Sequence, residues 1–453
     1  MSVETINPAT GQVEHRQALL SPEQVDAVLA AAHAAFPAWS TRSIESRGEV
    51  LHAVAGVLRK RREELQQVMS AEMGKLRKEG LAEIDKCAAV CDYYADHAAG
   101  YLAPQPIATE AQRSYVRYEP LGCVFAVMPW NFPFWQVFRF LAPGLMAGNV
   151  AVLKHASNVP RCADAILDVL REAGLPEGAF GVLHIDNDQA AKVIADPRIA
   201  GVTLTGSERA GSSVAATAGK HLKKCVMELG GSDAFVVLED ADLDAAVAGA
   251  VSSRFGNAGQ TCIAAKRFIV VEAIADEFVR RFVEAASKLR LGDPQDEATT
   301  LAPMARQDLR DTLHKQVTDS IARGAKPLLG CEPDASYAGY PASILDGVKP
   351  GMPAYSEELF GPVASVLRVA DEAEAVRVAN DTSFGLGGSV WTGDAARGER
   401  IAGQLQCGAA FVNAIVRSDQ RLPFGGTKRS GFGRELAAHG IHEFTNIKTV
   451  WVA

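Results

Sequence analysis

No stretch of this 453-residue chain suits a bilayer: the most apolar one, Phe132 to Ala147, contains Arg139 and two prolines and falls short of the roughly 20 apolar residues a spanning helix needs. Positive charge is not in excess either. A net charge of −8 excludes the clustered Lys and Arg of a nucleic-acid surface, and Lys60-Arg61-Arg62 is answered at once by Glu63-Glu64, as on the solvated face of a helix. The opening Met1-Ser2-Val3-Glu4-Thr5 has neither a basic nor an apolar leader region, so no secretory signal is expected. Eight cysteines (87, 91, 123, 162, 225, 262, 331 and 407) are too scattered for a disulfide framework and imply reduced thiols in a cytoplasm. Cys87 and Cys91 share a helix face near His97, but no further ligand stands at tight spacing; core packing is expected there and no metal. Internal repeats and low-complexity tracts are absent. So is Gly-x-Gly-x-x-Gly after any strand, the usual dinucleotide fingerprint.

What is present is length and rhythm. A chain of this size exceeds one hydrophobic core and implies two or three domains, and 48% apolar with 22% charged residues is ordinary for a globular enzyme. The first hundred residues read as helices, with apolar residues at helical spacing over Ser21–Ala35 and Ser43–Met73 and Ser21 as a cap. From Gly122, β-branched runs (122–127, 150–155, 180–184, 199–205) alternate with helical patterns (134–147, 161–173, 189–195), the signature of βαβ units on a parallel sheet. A second α/β block starts near Ser232, with strands at 234–238, 266–271, 364–369 and 409–412. Between helices and strands, Tyr101–Pro120 reads as a projecting hairpin whose edge requires a partner strand.

Chemistry concentrates in two glycine-flanked segments. Cys262 ends Gly259-Gln260-Thr261-Cys262, 34 positions after Glu228 in Met227-Glu228-Leu229-Gly230-Gly231. A loop cysteine can present a thiolate, and a carboxylate beside glycines can approach a water closely, which together suit covalent acyl chemistry. For two isolated residues the plainer reading is a buried loop cysteine and a surface carboxylate. Thr205-Gly206-Ser207, followed by Gly211, closes one strand and opens a helix, an arrangement equally suited to a pyrophosphate or to a plain turn. Lys154 stands at the carboxyl end of another strand, where open α/β sheets place ligand contacts.

With Pro129-Trp130-Asn131-Phe132-Pro133, Glu228-Leu229-Gly230-Gly231, Gly259-Gln260-Thr261-Cys262, Glu358-Leu359-Phe360-Gly361-Pro362 and Pro423-Phe424-Gly425-Gly426 in this order, the chain resembles the aldehyde dehydrogenase superfamily over essentially its whole length. Leu153–Val159, Glu228–Asp233, Ala264–Phe268 and Arg434-Glu435-Leu436 resemble the bacterial succinate-semialdehyde dehydrogenases within it. The resemblance implies an α/β fold: a Rossmann-like cofactor domain (1–101 and 121–230), an α/β catalytic domain (231–439) and a small β oligomerisation arm (102–120 and 440–453), with the arm joining a homodimer or homotetramer. It implies Cys262 as nucleophile, Asn131 as oxyanion donor and Glu228 as general base. It places NADP or NAD against Trp130, Lys154, Ser157, Gly206, Ser207, Glu358 and Phe360. The bland alternatives are core aromatics at Trp130, Phe360 and Phe424, and a turn residue at Asn131.

A semialdehyde's distal carboxylate requires a cation. Arg139 lies eight residues after Asn131, where the resemblance places an arginine, and a salt bridge to a protein carboxylate is the competing role. Some relatives carry a second arginine six residues before the nucleophile; here that position is Gly256, leaving Arg254, Arg417 and Ser418 as candidates to replace it. NAD-restricted relatives carry a glutamate three residues after the lysine; Ser157 stands there, so NADP is expected to be accepted, with Lys154 and His155 as sources of positive charge. A structural relative without activity should have lost Cys262 or Glu228, and an acyltransferase to coenzyme A has no use for a carboxylate poised on water. An aldehyde dehydrogenase for another semialdehyde, or for aliphatic and aromatic aldehydes broadly, is the runner-up.

Overall fold

The first residues depart from the helical reading. In the computed structural model, which describes residues 2–453, Ser2–Ile6 (β1) and Val13–Ala18 (β2) pair antiparallel. The turn joining them is written in Asn7-Pro8-Ala9-Thr10-Gly11: the Asn7 side chain accepts from the Ala9 N–H at 2.9 Å and Gly11 adopts φ +72°. Three helices follow, Pro22–Ser40 (α1), Ile44–Met73 (α2) and Arg77–Leu102 (α3). Ser21 and Gln24 form a capping box at the start of α1. That helix continues through Pro37, past its expected end at Ala35, because Trp39 is buried and donates from Nε1 to the Leu145 carbonyl at 3.2 Å. Gln105–Pro106 (β3) and Arg113–Pro120 (β4) come next.

The expected alternation then begins: Cys123–Met128 (β5), Trp135–Met146 (α4), Val150–His155 (β6), Pro160–Glu172 (α5), Phe180–Val182 (β7), Asn187–Ala195 (α6), Ile199–Thr205 (β8), Glu208–Lys220 (α7) and Lys224–Glu228 (β9). The strands form a parallel sheet in the order β9-β8-β5-β6-β7. A second sheet is built from Asp233–Val237 (β10), Leu243–Phe255 (α8), Ala265–Val271 (β11), Glu272–Ala286 (α9), Gln307–Ala322 (α10), Lys326–Leu329 (β12), Ser343–Asp346 (β13), Pro353–Ser356 (α11), Val363–Val369 (β14), Glu372–Asn380 (α12), Gly387–Trp391 (β15), Ala395–Ala402 (α13) and Ala409–Val412 (β16). Its order is β12-β13-β14-β11-β10-β15-β16, parallel apart from β12 at one edge. Helices cover both faces of this second sheet. Ala234 and Val236 of β10, with Ile269 and Val271 of β11, enter one core, while Phe235, Val237, Phe268 and Val270 enter the other. Burial on both faces is why these strands read as unbroken apolar runs.

The chain closes with Gly431–Phe432 (β17), added antiparallel to β9, then Ala437–Glu443 (α14) and Thr445–Val452 (β18). β18 pairs with β4 along its whole length, from Thr445 opposite Pro120 to Val452 opposite Arg113, and β3 pairs with the other edge of β4. The edge anticipated at Tyr101–Pro120 is thus covered by the C-terminus.

Candidate active site

The carboxyl ends of β5, β6, β8 and β9 lie along one edge of the sheet and carry Asn131, Lys154, Ser207 and Glu228 within three residues of their last positions. Opposite them lies the loop between α8 and β11. Asn257 (φ 54°), Ala258 (φ 52°) and Gly259 (φ 70°) are three successive left-handed residues, a conformation costing about 1–2 kcal/mol for each residue that carries a Cβ. Hydrogen bonds hold it. Asn257 donates from its backbone N–H to Glu79 Oε1 at 2.9 Å and from Nδ2 to the carbonyls of Asn131 (2.9 Å) and Gln260 (3.2 Å), while Gln260 Oε1 accepts from the Ala305 N–H at 2.9 Å. Gly259 cannot be replaced, since a Cβ there would lie 2.3 Å from the Gly361 carbonyl oxygen. Beyond the turn, Lys266 donates from Nζ to the carbonyls of Thr261 (2.9 Å) and Cys262 (2.8 Å). The backbone on either side of Cys262 is therefore anchored to a rigid strand.

Cys262 is half-buried. Burial pushes its thiol up to about 11, while Arg139 and Lys266 pull it down and Glu358 and Glu228 raise it further. Asn131 donates from Nδ2 to the Gln260 carbonyl at 3.0 Å, and its own carbonyl accepts from Lys75 at 3.0 Å. One of its two amide hydrogens is thus taken, and the side chain is fixed against the cysteine loop. Lys75 pairs with Glu83, whose carboxylate also accepts the N–H groups of Phe134 and Trp135 at 2.9 Å and so caps α4.

Glu228 occupies a drier place than the expectation of a carboxylate poised on water suggests. It is 2% exposed, and neither carboxylate oxygen has a hydrogen-bond partner among the described residues. Gly425 makes room for it; a Cβ there would meet Oε1 at 2.8 Å. Burial and the neighbouring Glu435 carboxylate raise the Glu228 pKa well above the ordinary range, against the pull of Arg139 and Arg434. Arg139 links these groups: it pairs with Glu435 through Nε, donates from Nη2 to Thr205 Oγ1 at 3.2 Å and stands 4.7 Å from the Phe424 ring centre. A protein carboxylate therefore claims Arg139, as the competing reading of that residue had it, although the side chain also lines the cavity onto which Cys262 opens.

That cavity measures about 500 Å³, and Lys86, Arg417 and Ser418 line it together with aromatic walls from Phe132, Trp135 and Phe424. Gly256 lies on it with nothing within 4 Å of where a Cβ would stand. Arg254 is not on it: it is fully buried and donates to the carbonyls of Gly259 and Ala265, so it braces the loop.

A separate edge presents the dinucleotide candidates. Ser207 caps α7, accepting from the Ala210 N–H at 3.3 Å, and Gly206 hydrogen-bonds back to the Glu228 carbonyl at 2.9 Å. Lys154 is half-buried and makes no ion pair among the described residues, and burial lowers its pKa. Ser157 is exposed in the turn after β6, and beside it the buried Asn158 amide has neither atom partnered. Glu358 reaches over Gly230 and Gly231, accepting from the Gly231 N–H at 3.0 Å and pairing with Lys266 at 3.2 Å. Trp130 and Phe360 meet edge to face at 5.8 Å. His155 does not add charge here: burial pushes it down to about 4, so it is neutral, donating from Nε2 to the Pro133 carbonyl at 2.8 Å and accepting at Nδ1 from the Ala156 N–H at 3.0 Å. An unpartnered lysine and a helix N-terminus suit an anionic nucleotide. Sequence reasoning overlooked Lys75, Glu83, Lys86, Asn257, Lys266 and the part played by Glu435; a charged residue opening the apolar strand β11 was the one available signal, for Lys266.

The chain is similar to known proteins over its length. A profile of the Aldehyde dehydrogenase family matches residues 1–450. The chain is 48% identical to Succinate semialdehyde dehydrogenase [NAD(P)+] Sad of Escherichia coli (strain K12), over 99% of its own length and 97% of the relative's. It is also 48% identical to a Probable succinate-semialdehyde dehydrogenase [NADP(+)] of Synechocystis sp. (strain ATCC 27184 / PCC 6803 / Kazusa), over the full length of both. Among solved structures, succinic semialdehyde dehydrogenase from Streptococcus pyogenes in complex with NADP+ as the cofactor superimposes with a TM-score of 0.97 at 38% identity, covering 99% of each chain.

Proposed function

Because the chain belongs to the aldehyde dehydrogenase family, we propose that it oxidises succinate semialdehyde to succinate with NADP or NAD, through a thioester on Cys262. The observation that carries this reading is the cavity in front of the thiol: its walls are largely apolar, yet three cations, Lys86, Arg139 and Arg417, line it. An apolar chamber with concentrated positive charge suits a short chain that ends in a carboxylate.

In this reading the thiol, protonated at rest, releases its proton to solvent water and the thiolate attacks the aldehyde carbon; the resulting oxyanion is held by the Asn131 amide and the Cys262 N–H. When bound, the nicotinamide cofactor supplies the hydride acceptor. Glu228 then draws a proton from a water that attacks the thioester, releasing the acid and restoring the thiol. Its raised pKa suits a general base, because a more basic carboxylate holds the proton drawn from water more firmly. The cations on the cavity, Arg139 and Arg417 among them, receive the distal carboxylate together with Ser418, and the pairing of Arg139 with Glu435 keeps one cation beside both Cys262 and Glu228. Lys154, Ser157, Gly206 and Ser207 hold the adenosine and phosphates, with Glu358, Phe360 and Trp130 on the nicotinamide side. β18 exposes Ile447 and Trp451, and Ile107 is exposed just beyond β3, which supports the reading of this sheet as the joining surface of a homodimer or homotetramer.

The test is a steady-state panel of succinate semialdehyde, glutarate semialdehyde, butanal and benzaldehyde with both cofactors. Wild type should favour succinate semialdehyde; equal kcat/KM values throughout would favour a broad aldehyde dehydrogenase. In the same panel Arg139→Ala should lose about 2–5 kcal/mol of transition-state binding for succinate semialdehyde and less for butanal. Equal losses for the two would confine Arg139 to its pairing with Glu435.

Cofactor choice gives an independent prediction. Ser157 is neutral and two residues beyond β6, so a 2′-phosphate meets no negative charge from it. Ser157→Glu should weaken NADP binding by about tenfold or more relative to NAD, since like charges 4 Å apart repel by about 1–4 kcal/mol between bulk water and a protein surface. Equilibrium titration with each dinucleotide measures this without turnover. An unchanged affinity ratio would show that Ser157 does not discriminate.

A further inference from the structure

Helix α3 presents Glu79, Ala82, Glu83 and Lys86 to the cavity, spaced three and four residues apart so that they share one face. Of these, Glu79 is tied to the Asn257 N–H, and Glu83 is committed to Lys75 and the start of α4. Lys86 is different. Its ammonium donates to Ser418 Oγ at 2.7 Å and stands 4.0 Å from the Trp135 ring centre, and it makes no ion pair among the described residues.

Its neighbours leave it uncompensated. The Asp419 carboxylate is taken up by Arg421 at 2.7 Å, and Glu83 is engaged as described. Arg139 lies close enough to repel it. Burial, and then Arg139, push the Lys86 ammonium down to about 8, the direction expected of a cation lacking a counter-charge. The other two cations on the cavity are less suited to a ligand. Arg139 already faces Glu435, and Arg417 is exposed and free to turn toward solvent. Gly256 leaves its side of the cavity open and uncharged.

We propose that Lys86, steadied by Ser418 and the face of Trp135, is the principal receptor for the substrate's distal carboxylate and so sets the preference for an acidic aldehyde. This rests on the semialdehyde reading given above. A compact ammonium with three donors can keep its bond to Ser418 and still offer a hydrogen to a carboxylate oxygen. The aliphatic stem and Trp135 meanwhile hold the apolar part of the chamber.

The test compares wild type and Lys86→Met with succinate semialdehyde, with butanal, and with succinate as a competitive inhibitor. In the variant, KM for succinate semialdehyde and Ki for succinate should each rise roughly tenfold or more, while kcat and the KM for butanal stay near wild type. Unchanged KM and Ki, in an enzyme that still prefers succinate semialdehyde to butanal, would overturn the role of Lys86 and leave the substrate reading intact. A wild type without that preference would overturn the reading itself. Equal losses for both aldehydes would assign Lys86 to the shape of the cavity and overturn the proposal too. If the methionine variant loses its helical circular dichroism, Lys86→Gln, which keeps a polar partner for Ser418, carries the same comparison.

Discussion

Cys262→Ala is expected to reduce aldehyde oxidation by about 10⁴-fold or more, the scale on which loss of a covalent nucleophile is felt, or about 5.4 kcal/mol in activation free energy. Dinucleotide affinity should not change. The reason lies in how the loop is held. Lys266 binds the carbonyls of Thr261 and Cys262, Asn257 binds those of Asn131 and Gln260, and none of these bonds uses the thiol. Alanine therefore removes sulfur and leaves the backbone in place, at a stability cost of about 1 kcal/mol or less. Single-turnover kinetics with succinate semialdehyde, beside a titration with NADP, separate the two effects. Residual turnover within tenfold of wild type would remove Cys262 from the chemistry. Weakened cofactor binding would show that the thiol supports the fold of the loop.

The parts of this site that could be read in the sequence are those whose neighbours in the chain define them. The parallel sheets announced themselves because strands buried on both faces must be apolar throughout, as in Ala234–Val237 and Phe268–Val271. Cys262 and Glu228 stood out because their flanking glycines permit close approaches, such as Gly259 against Gly361. What stayed hidden depends on packing between distant segments. Nothing near Arg139 in the chain names Glu435 as its partner, and the same pairing that neutralises the arginine supplies the carboxylate that raises Glu228. Lys86 sits in an ordinary amphipathic helix, and only the docking of α3 beside α4 and the Ser418 loop makes it a cation facing a cavity. The left-handed Ala258 has no signal of its own, since its conformation is imposed by the bonds of Asn257 and Gln260 on either side. The N-terminal hairpin was missed for a different reason: its strands expose most of their residues, so no apolar period marks them.

Glu228→Gln should separate the two halves of the reaction. Glutamine keeps the shape of the side chain against Gly425 but cannot accept a proton from water. The first turnover is then expected to yield reduced cofactor, after which the enzyme stalls as a succinyl thioester on Cys262. Steady-state turnover should fall by about 10²–10⁴-fold, the range for loss of a general base. Rapid mixing detects the burst, and mass spectrometry of the quenched protein detects the acyl group on Cys262. The dependence on pH follows from the surroundings of Glu228. Burial and Glu435 raise its pKa, so the carboxyl is neutral and inactive as a base below that value and becomes competent as the pH rises through it. Wild-type deacylation should therefore climb with pH along a limb that the glutamine variant lacks. Stability moves in the opposite sense. A carboxyl whose pKa is raised on folding binds more protons folded than unfolded, so its penalty grows as pH rises above the unfolded value, and the variant should melt higher near neutral pH. Turnover near wild type would remove Glu228 from deacylation. Loss of the burst along with turnover would instead give the carboxylate an earlier duty, taking the proton of a thiol that burial holds near 11 and that cannot attack until it has been lost.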